Sequence, residues 1–302
     1  MFRFLFRSVT VGWLLAFTVS CDRVETQNPA TPVATATNRQ VFQVKGVIVK
    51  VIPREKSVEI KHEEIRGYMP AMTMPFDVKD TNELAGLAPG DSVVFRMIVT
   101  DTEGWIEQIR KLGSTNSVPT AGNFRLVRDV EPLNIGDRLP EYHFTNQLGQ
   151  AFSTADFKGQ ALAITFLFTR CPFPTFCPKM ANDFSETQQS LISAGNLTNW
   201  HLLTVSFDPE FDKPVVLKSY AERYHYDPAH WTFATGDLVE ITAIAEQCGL
   251  NFWHDETGSI SHNLRTVVVD ASGRLQKIFT GNTWKTDELV AEMKQAGRVG
   301  GQ

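Results

Sequence analysis

The sequence predicts two folded domains of different class, a small all-β barrel and then an α/β sandwich, and three observations predict them. Residues 41–112 carry short β-rich runs and turn signals with no convincing helical period. Residues 134–299 alternate continuous apolar runs with amphipathic ones, the pattern of strands buried beneath helices. Between them "GSTNSVPTAGN", residues 113–123, is polar and breaks both patterns, so 113–133 reads as a linker. At 302 residues the chain has room for two modest domains with tails.

The chain opens with an expected export segment, residues 1–21. Arg3 and Arg7 supply positive charge, and "VTVGWLLAFTVS" supplies an apolar core of signal-peptide length, short for a membrane span. It ends at Ser20-Cys21. A small residue followed by Cys resembles a bacterial lipoprotein cleavage site, with Thr18 where that motif usually has Leu. Lipidation of Cys21 and a plain signal anchor with an incidental Cys are both open. Either puts the mature chain on the periplasmic side of the bacterial cell envelope, anchored to a membrane, where disulfides are permitted. Residues 22–40 have almost nothing to bury and read as a flexible tether. A net charge of −5 supplies no basic stripe, which sets nucleic acid aside as a partner. Four cysteines in so long a chain are too few for a disulfide scaffold, so each needs its own explanation.

In the first domain "VFQVKGVIVKVI" and "KSVEIKH" are strands separated by the turn "PREK". "MTMPFDV" makes a third strand. "APGD" turns into "SVVFRMIVT", a fourth, and "TEGWIEQIRKL" gives a short turn and a last strand. Five strands at this length suit a closed Greek-key, OB-like barrel. Within it "GYMPAMTMPF" puts Met69, Met72 and Met74 close together, and alternation sends Met72 and Met74 to one strand face. Core packing by a flexible side chain is one reading. A soft-metal site is the other, because thioethers select Cu(I) over harder ions. His62 ends a neighbouring strand and is equally open between a structural role and a ligand.

The stretch "VEIKHEEIRGYMPAMTMPF" resembles the copper-binding strand pair of the CusF-like family. The resemblance implies an OB-type barrel holding Cu(I) through His62, Met72 and Met74. That family's founding pattern has a Trp just before the Pro. Here Met69 precedes Pro70, which removes a cation–π contact and offers an extra thioether.

In the second domain "ALAITFLFT" is a buried strand feeding "RCPFPTFCPKMANDFSETQQSL", whose second half is helical. "WHLLTVSFD" is the next strand. "PVVLKSYAERYH" and "LVEITAIAEQCG" are helices, "LRTVVVDASGRLQKIF" a hairpin turning on Ala-Ser-Gly, and "KTDELVAEMKQAG" a final helix with Thr286 as its N-cap. This order fits a thioredoxin-like fold. It puts Cys171 in a strand-to-helix loop and Cys177 at the helix start, where the dipole lowers a thiol pKa. Pro178 suits the first helical turn. The two thiols can pair as a redox-active or structural disulfide, stay buried and free, or bind a soft metal. Cys248, on an apolar helical face, reads as a core thiol. His262, in "SISHNLRTVVVD", is expected at the start of a hairpin strand near the domain mouth.

The runs "FLFTRCPFPTFCP", "TVSFDPEFDKP" and "SHNLRTVVVD" resemble the Sco/SenC family of thioredoxin-like copper-binding proteins. The resemblance implies copper held by Cys171, Cys177 and His262, and a part in assembling the copper centre of cytochrome oxidase. Asp208 matches an acidic position near the family's metal loop. It reads as supporting that loop or facing a partner, or equally as a strand-end cap. The chain departs from the family at one point: five residues, "PFPTF", separate its cysteines where the family has three.

Two soft-metal constellations on one exported chain imply a membrane-tethered copper chaperone, which accepts copper and delivers it to an oxidase subunit or another cuproprotein. Delivery is ligand exchange and needs no bond-making catalysis. Cu(I) suits both sites, and Cu(II) only the large domain. Two other functions fit: a thiol-disulfide oxidoreductase acting on a partner's cysteines through Cys171 and Cys177, with the more accessible Cys171 as the attacking thiolate, and a copper buffer serving resistance. If copper passes between the domains, thiolates being the stronger ligands, it runs from the thioethers to the cysteines.

Overall fold

The computed structural model describes residues 39–114, 130–254 and 260–299. The expected export segment, Cys21, the tether up to residue 38 and linker residues 115–129 lie outside the described residues. Among the described residues no helix is long and apolar enough to cross a membrane.

The first domain is an antiparallel sheet of β1 (Gln40–Ile52), β2 (Ser57–His62), β3 (Met72–Asp77), β4 (Asp91–Val99) and β5 (Gly104–Ser114). The strand order is β3-β2-β1-β4-β5. The turn after β1 is a single 3-10 turn at Pro53–Glu55, closed by Lys56 at φ 51. One face carries the apolar alternation: Val44 and Ile48 on β1, Ile60 on β2, Phe76 on β3, Val93 and Phe95 on β4, Ile106 on β5, all buried. His62, Met72 and Met74 continue that buried face to the end of the sheet.

The expected closed barrel does not form. β3 and β5 meet at one isolated bridge, Val78 to Ile106, rather than along a ladder. The free edge of β3 explains this. Pro75 has no N–H to offer. Thr73, which shares that edge, gives its N–H to Ser261 Oγ of the second domain at 2.9 Å. The edge is covered by another domain instead of by β5.

In the second domain the elements are β6 (His143–Asn146), β7 (Ala151–Ser153), β8 (Ala161–Leu167), α1 (Cys177–Ala194), β9 (Trp200–Ser206), α2 (Pro214–Arg223), β10 (Trp231–Thr235), α3 (Leu238–Gln247), β11 (Phe252–His254), β12 (Ile260–His262), β13 (Arg265–Val269), β14 (Leu275–Thr280) and α4 (Thr286–Ala296). The main sheet runs β14-β13-β8-β9-β10-β6-β7. β8, β9 and β10 are parallel, and α1 and α2 are their crossovers. Every residue of β8 and β9 is buried, which is why both strands read as unbroken apolar runs. This is the thioredoxin-like arrangement.

Two local expectations fail. Thr286 is not the N-cap of α4; Lys285 takes that position. The Thr286 hydroxyl is occupied elsewhere, donating to Glu186 on α1 at 2.9 Å. His262 does not start the hairpin strand. It ends β12, which pairs with β11 in a separate two-stranded sheet, and Phe252 lies opposite it.

The "PFPTF" loop carries the contact between the domains. Phe173 is buried and lies against Gly104 of β5, where a Cβ would meet its ring at 2.5 Å. Its ring also meets Phe76 edge-on at 6.0 Å. The Tyr68 hydroxyl donates to the Pro172 carbonyl at 3.0 Å. Asn282 Nδ2 bridges Asp77 Oδ2 at 3.1 Å and the Thr175 carbonyl at 2.9 Å. The loop that departs from the Sco/SenC spacing is thus the loop that reaches the other domain. Phe173→Ala should cost about 3–5 kcal/mol in denaturant unfolding, the range for truncating a buried Phe. Gly104→Ala should destabilise as well, because the Phe173 ring must move. Wild-type stability in both variants would mean that this contact does not hold the domains together.

Candidate metal centre

The strand-to-helix loop leaving β8 delivers the first set of donors. Cys171 sits in it, half-buried, and Cys177 is the first residue of α1 and fully buried. β12 brings His262 across to them. One ligand atom from each of Cys171, Cys177 and His262 lies within 4.8 Å of the others. Both cysteines are free thiols, as is Cys248. The His262 Nδ1–H donates to the Asn263 carbonyl at 2.8 Å, which leaves Nε2 as the ring nitrogen available to the cysteines. Phe168, Phe176 and Phe207 surround the ring, with centroids 5.6, 5.9 and 4.9 Å away.

The two thiols differ in the direction opposite to the helix-dipole expectation. Burial pushes the Cys177 thiol well above its ordinary range, and the adjacent Cys171 adds to this. Burial also opposes a Cys171 thiolate, but hydrogen bonds from Cys177 and His262 outweigh it and hold Cys171 well below its ordinary range. The helix terminus fails to lower Cys177 because the side chain is sealed from water.

The second set lies on the sheet. His62 and Met72 are directly opposed across β2 and β3, and Met74 is opposite Ile60 on the same face. Burial holds the His62 pKa below its usual value, which keeps the ring neutral. Its Nδ1–H donates to the Glu63 carbonyl at 2.7 Å. Among the described residues its Nε2 is buried and finds no hydrogen-bond partner. A buried lone pair without a donor is costly unless something else uses it. A soft cation is such a user, and the neighbouring thioethers suit the same ion.

The two sets face each other. Met69, Met72 and Met74 line one small cavity together with Cys171 and His262, and its water-accessible volume is about 10 Å³. That is room for roughly one water-sized particle. The remaining wall is apolar: Phe168, Pro172, Phe173, Phe176 and Ile260. His262 and Phe176 also line a larger cleft of about 300 Å³ between the domains, which carries Glu55, Glu59 and Asp77 together with Lys50 and Arg265. The imidazole therefore lies between that cleft and the small thioether chamber.

Asp208 is buried, so it faces no partner. It accepts from Arg170 Nε at 3.1 Å and Nη2 at 2.6 Å, which braces the residue preceding Cys171. Sequence reasoning missed Asp212. Its carboxylate accepts from the Thr169 N–H at 3.0 Å, from the Thr169 hydroxyl, and from Ser206 Oγ at 2.5 Å, tying the end of β8 to β9. The second Asp of "FDPEFD" was the available signal. Cys248 is buried in apolar surroundings and its thiol is pushed up to about 12, as expected of a core thiol.

Comparison with known proteins agrees with this division. The family model described as SCO1/SenC matches residues 134–297, and that of the copper binding periplasmic protein CusF matches residues 41–111. The SCO1 protein homolog of Bacillus subtilis is 29% identical over 174 residues, covering 56% of this chain and 86% of that protein. A SCO2-like protein of Rickettsia typhi is 26% identical over 174 residues, covering 55% and 79%. Among solved structures, a SCO1/SenC family lipoprotein from Bacillus anthracis is 28% identical with a TM-score of 0.49, covering 55% of this chain and 97% of its own. Bradyrhizobium japonicum ScoI with copper bound is 24% identical with a TM-score of 0.45, covering 54% and 99%.

The thiol inequality sets a pH dependence. The thiolate is the form that reacts, so a thiol with a lowered pKa keeps reacting as pH falls. Iodoacetamide should modify Cys171 at a rate that holds below the ordinary thiol pKa of about 8.5. Cys177 should stay unmodified there. His262→Ala should move the Cys171 profile to higher pH, read by mass spectrometry of timed samples. Faster modification of Cys177 would contradict the assignment.

Proposed function

This chain belongs to the SCO1/SenC family, and from that premise we propose that it is a copper chaperone that accepts Cu(I) and delivers it to a partner's copper site. The observation that carries this reading is the convergence of Cys171, Cys177 and His262 within 4.8 Å, facing a methionine wall. Thiolates, thioethers and neutral imidazoles are the donors that suit a soft monovalent ion. Copper is the cargo. The small domain takes it on His62, Met72 and Met74, and the large domain takes it on Cys171, Cys177 and His262. Because Met72 and Met74 share a cavity with Cys171 and His262, copper passes between the domains by ligand exchange. The recipient is a copper-accepting subunit of a respiratory oxidase, and the chain works on the periplasmic side, tethered to a membrane.

A second reading has its own support. A low-pKa half-buried thiol beside a high-pKa buried one is the pairing of an attacking and a resolving cysteine. Cys171 would attack a partner disulfide, Cys177 would release the mixed disulfide, and two electrons would leave the chain as its own disulfide forms. The methionines contribute nothing to that chemistry, which ranks it second.

One experiment separates the two. The reduced chain, loaded with Cu(I), is mixed with the metal-free copper domain of an oxidase subunit. Copper should move to that domain and should fail to move from Cys171→Ser. A chain that binds no copper but reduces the domain's disulfide is an oxidoreductase instead. In Cu(II)-loaded protein a thiolate-to-metal charge-transfer band should vanish in Cys171→Ser and weaken in His262→Ala. Its survival in both would mean other ligands.

A further inference from the structure

The small chamber between the domains belongs to neither donor set alone. From the small domain it is lined by Met69, Met72 and Met74, and from the large domain by Cys171 and His262. Met69 is the informative residue. It stands outside the His62, Met72, Met74 set, on the isolated bridge Ile65 to Met69 rather than on β3, yet it is buried on the same chamber as Cys171. With a water-accessible volume of about 10 Å³, the chamber has space for one ion and no more. Its remaining wall supplies no hard oxygen donor. One Cys171 thiolate with one Cu(I) is a neutral unit, and a mostly apolar chamber tolerates neutral units better than net charge.

We propose that the docked chain has a mixed copper(I) site between its domains, in which Cys171 of the large domain and Met69 with its neighbouring thioethers of the small domain hold one ion together. This rests on the copper reading above and deepens it. The first Cu(I) to bind goes to neither domain's own set but is shared across the interface. The ion then bonds the two domains, with the Phe173 contact closing the chamber. Delivery to a partner requires the domains to part, because a chamber of about 10 Å³ has no room for a second protein's ligands.

The test uses the full chain, reduced, with selenomethionine in place of methionine and one equivalent of Cu(I). X-ray absorption at the copper edge should show both a selenium shell and a thiolate sulfur shell. Met69→Leu conserves volume, and an unchanged melting temperature would verify its fold. It should weaken binding of the first ion by at least about tenfold, since losing even an outer partner of a metal site costs that much. Cys171→Ser should weaken the same ion to a similar degree. Sulfur without selenium would overturn the shared site and leave the chaperone reading standing. Selenium that persists with unchanged affinity in Met69→Leu would also overturn it, placing the ion on His62, Met72 and Met74. A chain that binds no Cu(I) at all would instead remove the function on which the proposal rests.

Discussion

The seating of Phe173 on the bare Cα of Gly104 is the contact on which the rest of the arrangement depends. A side chain at residue 104 would collide with the ring at 2.5 Å. With glycine there, the loop between the cysteines lies directly against β5 and Phe76. That contact brings the strand edge at Thr73 within reach of Ser261 and closes the methionine wall over Cys171. A loop with three residues between its cysteines would have less chain with which to reach the small domain. The longer loop converts two separate donor sets into facing halves of one chamber.

Both imidazoles are prepared in the same way in unrelated folds. His62 donates its Nδ1–H to the carbonyl of Glu63, and His262 donates to the carbonyl of Asn263. In each case the next residue's backbone occupies Nδ1 and leaves Nε2 as the nitrogen available to a metal. Burial lowers the His62 pKa even though the Glu63 carbonyl and carboxylate both pull it upward. Aromatic rings pack around His262, and burial keeps His62 neutral. The geometry favours a soft, weakly hydrated cation and disfavours the hard ones that the oxygen ligands of the outer cleft would attract.

The fold was legible wherever a pattern was local. β8 and β9 announced themselves as apolar runs because both of their faces are covered. The four helices and the Ala-Ser-Gly hairpin followed from periodicity and turn residues. Short strands were harder: β11 and β12 have three residues each, too few to establish any period, and His262 was misplaced with them. The open sheet could not be foreseen, because the partner of the β3 edge is Ser261, almost two hundred positions away. The candidate ligands were legible by residue type, as Cys, His and Met in soft-donor groupings. Their relative position was not, since no local signal says that Phe173 will find Gly104. That Cys171 is the more reactive thiol was legible from its loop position, but that Cys177 escapes the helix dipole was not, because burial of one sulfur is invisible in a sequence. Asp212 was missed for a similar reason: a buried carboxylate held by Thr169 and Ser206 resembles any loop acid until its partners are known.

The central claim is that the two domains form a single copper unit, and locating the ion tests it most directly. Crystals of the reduced full chain grown with one equivalent of Cu(I) would give an anomalous difference map at the copper edge. The account predicts one peak in the chamber between Met69 and Cys171, with the domains docked through Phe173. A peak bounded only by Cys171, Cys177 and His262, or only by His62, Met72 and Met74, with the facing domain withdrawn, would contradict it.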